Sequence, residues 1–372
     1  MKKKIAIIGA NDSINILIEK AKENGYETHV FAWECGDPGE KSADFFYPIS
    51  ISEKEKILDV CRGLNIEGIA SITSDFAFNT VNYVARQLGL VSNSERCEQV
   101  ARNKYLMRVA FRDAGLYTPW FTKADGSSDL SVMENNEYPV IVKPVDRWSS
   151  KGVSRVDRYE DLADAVKYAC KESLTGEAII EDFMDGPEYS AECICYRGER
   201  HILAFTQKVT TGYPHYIERE HIQPSNIPLE IQNKVEKVIL NALDSLDIEN
   251  GAAHAEFRIL KNGEIGIIEI GARMGGDCIG TYLTPISTGM DYVKMVLDIS
   301  CGGSPCFDIV TELSPVHVRY VMDEKDLLIY EGLKVKNPDC IVCSDIYDTN
   351  FKKEILDSST RHGFYVVKGS NI

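Results

Sequence analysis

The chain has 372 residues, and its 57 acidic against 41 basic side chains give a formal net charge of −16 at pH 7. This balance argues against sequence-independent binding of nucleic acid, so an anionic ligand must be held by a local cluster of lysines and arginines. The length is too great for one core and predicts about two to four lobes. With 44% hydrophobic and 26% charged residues, the composition is that of a soluble globular protein.

Neither terminus nor interior carries a membrane signal. The opening MKKKIAIIGA superficially resembles a signal peptide, but its apolar run ends at Gly9 and is too short. No stretch approaches the roughly 20 apolar residues of a membrane span. Eleven cysteines without a disulfide framework indicate reduced thiols in a cytoplasmic protein. Cys340 and Cys343 have the spacing of a zinc or redox half-site, but without a second pair they are interpreted as strand cysteines.

Strands and helices alternate over residues 1–98. The strands are predicted at IAIIG, ETHVFAW, GIASI and LVS, and the helices at SINILIEKAKENG, near 52–63 and near 76–88. Such alternation with short connections predicts a Rossmann-like domain, in which a parallel sheet is covered on both faces.

Two turns of this domain follow strands, where ligands tend to bind. The first, Gly9-Ala10-Asn11-Asp12-Ser13, lacks the GxGxxG pattern of dinucleotide binding. The second is Thr73-Ser74-Asp75. Substrate contact and helix N-capping by Asp12, Ser13 or Asp75 are both open interpretations.

The remaining chain is predicted to form four further parts. A linker helix near 95–114 lies within 99–118, and two strands, a helix and a third strand then form a small mobile lid over 119–187. Long hairpins with a helix at about 228–246 predict a central antiparallel domain over 188–304. Residues 305–372 are predicted as a small β-rich C-terminal subdomain with a helix only near 351–357.

The Asn262-Gly263 pair between two β-rich runs favours a two-residue type I′ hairpin. Lys261 would then pair with Glu264, and counting outward places Glu256 across from Glu269. Facing Cβ atoms lie about 5 Å apart, so the two carboxylates repel unless a cation lies between them. Mg²⁺ is the natural candidate. The alternative is a solvated hairpin face with two chance acids.

Further candidates for nucleotide contact precede the hairpin. Lys143 ends an apolar strand, where it either snorkels or binds an anion. The loop Ser149 to Gly152 offers hydroxyls and backbone N–H groups that could fold over phosphates, although no Walker sequence is present. The segment from Glu181 to Glu188 is either a solvated acidic turn or an edge for adenine and ribose.

In this order, the set resembles the ATP-grasp enzymes, specifically the carboxylate–amine ligase branch that includes amino-acid ligases, glycinamide ribonucleotide synthetase-like enzymes and the synthetase half of carbamoyl-phosphate synthase. The resemblance covers about residues 1 to 300. The set consists of Lys104, Lys143, the Ser-Ser-Lys-Gly loop, Glu181, Glu188, Glu256, Glu269 and Arg273. It implies an α/β protein, α+β in the ATP-binding lobes, with the ATP-grasp fold.

The resemblance also implies a role for each residue. Lys104 and Lys143 correspond to lysines that bind ATP phosphates, and Arg273 to an arginine that contacts the transferring phosphate or the substrate carboxylate. The other correspondences are the lid loop (Ser149, Ser150, Lys151, Gly152), adenine contacts (Glu181, Phe183), the ribose-binding acid (Glu188) and the metal ligands (Glu256, Glu269). Two Mg²⁺ ions are implied, with Mn²⁺ as a substitute. Gly271 departs from the asparagine that many relatives have there, so a third ligand is missing.

Two histidines complete the candidates. His254 has the strand parity of Glu256 and is predicted to face the site. His221 follows the loop 212–216, which resembles the substrate-facing loop of amino-acid ligases. His221 either contacts the substrate or the acyl phosphate, or it is an exposed loop histidine.

The activity implied by the resemblance joins a small-molecule carboxylate to an amine. The carboxylate would attack the γ-phosphate of ATP, and the amine would then attack the acyl phosphate to form an amide. A homodimer is a further expectation from relatives. Two alternatives stay open: activation of bicarbonate, as in carbamoyl-phosphate synthase relatives, and a non-catalytic ATP-binding assembly subunit, which only the missing asparagine supports.

Overall fold

A computed structural model describes residues 2–148, 150–213 and 216–369, and its strands form three sheets. The first sheet has four parallel strands in the order β3-β2-β1-β4. Its strands are β1 (Lys3–Ile8), β2 (Tyr26–Phe31), β3 (Phe45–Tyr47) and β4 (Gly68–Ala70). Its helices are α1 (Asp12–Glu23), α2 (Pro38–Ser42), α3 (Lys54–Leu64) and α4 (Asp75–Leu88). The predicted Rossmann-like parallel sheet is confirmed.

Two details of this domain differ from the prediction. Residues 90–92 form no strand, because Gly89 ends α4 in a left-handed conformation and Leu90 N–H donates back to Ala85 C=O. The helix N-caps are Asn11 and Ser74, whose side chains accept from Ile14 N–H and Ala77 N–H. Capping by Asp12, Ser13 or Asp75 was therefore wrong, and the carboxylate of Asp75 is left for another partner.

The predicted linker helix is two helices, α5 (Glu95–Arg102) and α6 (Lys104–Asp113). Asn103 lies between them with φ −120° and ψ 109°, and its side chain accepts from Tyr105 and Leu106 N–H. This break makes Lys104 the first residue of α6, where its N–H donates to Val145 C=O at 2.7 Å. Lys104 is thus tied to the residue that directly follows β6, the strand that carries Lys143.

The second sheet lies in the part of the chain that was predicted as a lid and is called the lid sheet below. Its four antiparallel strands lie in the order β5-β8-β6-β7, and α7 packs on it. The elements are β5 (Phe121–Asp125), β6 (Val140–Pro144), β7 (Ser154–Val156), α7 (Leu162–Glu172) and β8 (Glu177–Asp182).

The third sheet is antiparallel, with eight strands in the order β13-β12-β9-β10-β11-β14-β16-β15. Its strands are β9 (Glu188–Tyr196), β10 (Glu199–Thr210), β11 (Glu218–Gln223), β12 (Gly251–Ile259), β13 (Ile265–Gly271), β14 (Val316–Val321), β15 (Ile341–Ile346) and β16 (Gly363–Lys368). Its helices are α8 (Leu229–Ser245), α9 (Thr284–Thr288), α10 (Tyr292–Ser300) and α11 (Glu324–Lys336). The last three strands of the chain, β14, β15 and β16, therefore extend the central sheet. The predicted domain boundaries at residues 98, 118, 187 and 304 stay a prediction.

The C-terminal helix was placed wrongly by the sequence. α11 lies at 324–336, where Asp323 caps it by accepting from Lys325 and Asp326 N–H. Residues 351–357 form no helix, and Phe351 has φ 50°, which is incompatible with a right-handed helix. Among the described residues, every helix is too short or too polar to cross a bilayer.

The β12–β13 hairpin confirms that Glu256 faces Glu269. The predicted two-residue turn is wrong, however. Leu260 N–H donates to Glu264 C=O, and Ile259 pairs with Ile265, so the connection is one residue longer. A β-bulge at Ile268 absorbs the extra residue and restores the predicted pairing at the two acids.

We predict that Gly186, which joins β8 to β9, cannot carry a side chain. A Cβ there would lie 2.2 Å from Ile259 C=O. Gly186→Ala should lower the free energy of unfolding by about 1–3 kcal/mol through overpacking. Gly63→Ala in α3, where a Cβ meets nothing within 4 Å, should raise it by about 0.5–1 kcal/mol. Urea denaturation measures both, and equal effects would contradict the tight contact at Gly186.

Candidate active site

A cavity of about 330 Å³ lies between the lid sheet and the central sheet. Its walls include most of the residues predicted from the sequence, namely Lys104, Lys143, Ser150, Glu181, Phe183, Glu188, His221, Glu256, Glu269 and Arg273. His254 also lines it. The structure thus brings together side chains from α6, from the lid and from the central sheet.

The lid loop contributes less than predicted. Ser149 lies outside the described residues. Lys151 does not line the cavity: its side chain is 62% exposed and its Nζ lies 3.6 Å from Glu172. Gly152 is also outside the wall, and its φ of 77° and close approach to Pro144 explain why glycine is required there.

Each of the two facing carboxylates has its own cations. Glu256 Oε1 accepts from Lys208 Nζ at 3.0 Å and contacts His254 Nε2 at 3.1 Å. Glu269 Oε2 lies 2.9 Å from Lys104 Nζ. Burial alone would raise the pKa of both acids, but Lys208 and His254 lower the pKa of Glu256, and Lys104 lowers that of Glu269. Both acids are therefore ionised.

Lys208 was missed by the sequence analysis. Only 8% of this residue is exposed, and besides Glu256 its Nζ lies 3.2 Å from Glu188 and 3.6 Å from Glu218. Burial works against its charge, yet Glu256, Glu188 and Glu218 together raise its pKa well above the usual value. The sequence held little signal, because Lys208 lies in the largely polar stretch Thr206-Gln207-Lys208-Val209-Thr210 of β10.

A second missed acid holds His254. Glu192 is fully buried, contacts His254 Nδ1 and accepts from Gly275 N–H at 2.8 Å. Burial lowers the pKa of His254, but Glu192 and Glu256 outweigh it and raise that pKa to about 9. At neutral pH His254 is an imidazolium that donates to a carboxylate on each side.

Arg108, the third missed residue, organises the lid side. Its guanidinium donates to Glu181 from Nε at 2.9 Å and to the carbonyls of Ile267 and Ile268 at 2.7 and 3.0 Å. Glu181 in turn contacts Lys143 Nζ. Burial would raise the pKa of Glu181, but Arg108 and Lys143 lower it to about 2. Burial also lowers the pKa of Lys143 despite this partner.

The opposite end of the cavity is aromatic. Arg155 and Arg258 lie over the ring of Phe183, with 4.7 and 5.0 Å to its centroid. Arg258 also donates to Glu188 Oε2 at 2.9 Å, and Arg155 to the hydroxyl of Tyr216 at 2.7 Å. This end of the cavity therefore combines a flat aromatic ring with a carboxylate whose oxygens can accept hydrogen bonds from hydroxyl groups.

Gly271 occupies the position at which many relatives have an asparagine, the expected third metal ligand. A Cβ at this position would lie 3.1 Å from Asp75 Oδ1 and 3.2 Å from Arg273 Cζ. These two residues form an ion pair at 3.1 Å that covers the glycine. Among the described residues, no three His, Cys, Asp or Glu side chains are grouped to hold a metal.

His221 is not an exposed loop residue. It lies in β11 with 1% of its surface exposed, and its Nε2 is 3.9 Å from Asp277 Oδ2. Its buried Nδ1 has no hydrogen-bond partner. Asp277 thus contacts the His221 ring on its Nε2 side, and Nδ1 on the other side is unpaired.

Comparisons with known proteins agree with this geometry. An ATP-grasp domain model matches residues 136–281. Alanine–anticapsin ligase of Bacillus subtilis (strain 168) is 27% identical over 76% of this chain and 66% of its own length. D-alanine–D-alanine ligase of Flavobacterium johnsoniae is 27% identical over 70% of this chain and 82% of its own. The crystal structure of an L-amino acid ligase from Bacillus licheniformis shares the fold, with a TM-score of 0.82, 24% identity and coverage of 99% and 94%.

We predict that Lys208→Met destabilises the protein by about 3–5 kcal/mol, because three carboxylates lose their buried cation. Added Mg²⁺ should stabilise the variant more than the wild type, since a divalent cation can neutralise the same acids. Thermal denaturation with and without Mg²⁺ measures this. The control Lys123→Met removes an exposed ion pair with Glu177 and should cost less than about 1 kcal/mol. Equal losses in the two variants would contradict the central role of Lys208.

We also predict a pH-dependent contribution from Glu181. Its folded pKa of about 2 lies below the ordinary 4.5, so its stabilisation is present above pH 4.5 and is lost as the pH falls towards 2. The difference in unfolding free energy between wild type and Glu181→Gln should therefore shrink between pH 5 and pH 3. Urea denaturation at each pH measures it, with Glu177→Gln on the same strand as the control. A difference independent of pH would contradict the ion pairs.

Proposed function

We propose that the chain, whose residues 136–281 match an ATP-grasp domain model, is an ATP-dependent ligase that joins a small-molecule carboxylate to an amine and releases ADP and phosphate. The observation that carries the proposal is the facing pair of Glu256 and Glu269 in a cavity that also has several cationic side chains on its walls. Lys104, Lys143 and Arg273 line the same cavity. The named ligases among the similar proteins support the reaction class.

The donor set fits Mg²⁺ bound together with a nucleotide. Glu256 and Glu269 supply two hard oxygen donors, and Mg²⁺ commonly completes its shell with phosphate oxygens and water. Gly271 adds no third ligand, so phosphate oxygens would hold more of a second ion. When bound, the metal would neutralise charge that develops on the phosphates. Without nucleotide, Lys208 and Lys104 neutralise the same acids.

The rest of the cavity suits the remainder of ATP. We assign the phosphates to Lys104 and Lys143, the adenine to the end formed by Phe183, and the ribose hydroxyls to Glu188. Glu181 holds Lys143 in place. Ser150 and the lid loop would close over the phosphates and exclude water, which an acyl phosphate requires.

The chemistry follows in two displacements. A carboxylate oxygen of the substrate forms a bond to the γ-phosphorus while the bridging P–O bond breaks and ADP leaves. The amine then forms a bond to the acyl carbon, phosphate leaves, and the amine loses a proton. Arg273 and Lys143 offset the negative charge during the first step. His254 is held between the carboxylates of Glu192 and Glu256, so the leaving phosphate is the proposed proton acceptor.

The alternatives make different demands on the site. An assembly subunit without catalysis has no need of Glu256, Glu269 and Arg273 around one cavity. Bicarbonate activation needs little space, whereas a further cavity adjoins this one through Asp277 and Ser358. Both observations favour the ligase with larger substrates.

We predict that ADP release from ATP requires both a carboxylate and an amine. The assay is a matrix of amino acids, other carboxylates, bicarbonate and ammonia with Mg²⁺. Glu269→Gln should lower the rate by about 100-fold or more, because it removes one of the two carboxylates that would hold the metal at the transferring phosphate. Glu264→Gln, an acid near the turn of the same hairpin that is bonded to Lys234, is the control and should retain activity.

Turnover with bicarbonate alone would favour carbamoyl-phosphate-type chemistry. Binding of ATP without any substrate-dependent turnover across the whole matrix would contradict the ligase and favour an assembly role.

A further inference from the structure

A second cavity of about 610 Å³ adjoins the first and shares Asp277 and Ser358 with it. Its walls come from the start of α1, from residues 277–282 and from the C-terminal strands. Arg361 lines this second cavity but not the first. The two cavities are therefore neighbours, with different basic residues in each.

Arg361 is held in place with one donor group unused. Its side chain is 8% exposed, its Nη2 donates to Asp277 Oδ2 at 2.9 Å, and its Nε donates to Ser358 C=O at 2.7 Å. The guanidinium lies 3.6 Å from the ring centroid of Tyr320. Its Nη1 is buried and has no hydrogen-bond partner. Buried unsatisfied donors are rare, and an arriving anion would satisfy this one.

The backbone around Asp277 supports a functional reading. Asp277 and Cys278 have φ values of 51° and 66°, and two consecutive non-glycine residues in this region are uncommon. Such strain persists where surrounding structure enforces it, often at ligand sites. Here this backbone conformation places the carboxylate of Asp277 between Arg361 and His221.

We propose that the second cavity binds a substrate carboxylate other than the reacting one, with Arg361 as its partner. This inference rests on the proposed ligase function. The reacting carboxylate must meet the phosphate beside Glu256, Glu269 and Arg273, all of which line the first cavity only. An anion at Arg361 is therefore a separate group.

An α-amino acid as the amine substrate fits this cavity. Its carboxylate would meet Arg361, and its amino group, two bonds from the carboxylate carbon, would lie towards Asp277, which lines both cavities. Ile16, Tyr282 and Phe364 line the same cavity and suit a large apolar side chain. A dicarboxylic acyl donor would be the other source of the anion.

The test measures binding without turnover. Calorimetry compares L-phenylalanine with 2-phenylethylamine, which lacks only the carboxylate, and succinate with propionate. The wild type should prefer L-phenylalanine at least about tenfold, and Arg361→Gln should remove that preference by weakening L-phenylalanine alone. Arg361→Lys, which keeps the charge, should retain part of it. Arg319→Gln is the matched control, because Arg319 lies on β14 and pairs with Glu220 outside both cavities.

Several outcomes decide the inference. A preference for succinate over propionate that disappears in Arg361→Gln would assign the anion to the acyl donor and still support the subsite. No carboxylate preference in the wild type, a preference retained in Arg361→Gln, or equal losses in Arg319→Gln would overturn it. In the ADP-release assay, Arg361→Gln should raise the KM for the amino acid with little change in kcat or in the KM for ATP. Carboxylate-selective binding without any ADP release would sink the ligase function while leaving the subsite standing.

Discussion

Two carboxylates face each other at one pair of positions on neighbouring strands, and the site is arranged around their repulsion. Glu256 is neutralised by Lys208 and His254, and Glu269 by Lys104. These cations come from β10, from β12 and from the start of α6, so the charge balance brings separate elements to one point. Because the cations are protein side chains, the acids are stable without a metal and can exchange partners when a nucleotide and its ion arrive.

The facing of the two acids was predictable, but the prediction succeeded through two errors that cancel. The sequence count assumed a two-residue turn, whereas the turn is one residue longer and the bulge at Ile268 restores the register. Neither change is visible in local sequence. The carbonyls of Ile267 and Ile268 next to the bulge accept from Arg108, which lies about 160 residues away in the chain. The bulge is thus accompanied by a tertiary contact, about which the turn propensity of the hairpin carries no information.

The same reason separates what could be predicted from what could not. Alternating strands and helices identified the parallel sheet, because periodicity reports burial directly. Lys104, Lys143, Glu188 and Arg273 were predicted as site residues because an ordered set resembles a known family, and all four line the first cavity. Glu192 and Lys208 could not be found this way, since a buried acid and a buried lysine on separate strands gain meaning only through partners far along the chain. The helix near 351–357 failed because local composition did not show the left-handed Phe351.

The first turn of α4 connects the three sheets at the site. Asp75 pairs with Arg273 of the central domain, and the ring of Phe76 lies 4.6 Å from that of Trp148 in the lid loop. The Asp75 pair occupies the space above Gly271, where a third metal ligand would otherwise stand. The absence of a third metal ligand at Gly271 and the presence of the Asp75–Arg273 ion pair are therefore two aspects of one arrangement. Since Arg273 is the arginine assigned to the transferring phosphate, an arriving phosphate must share it with Asp75, and this sharing would connect nucleotide binding to the position of the first domain.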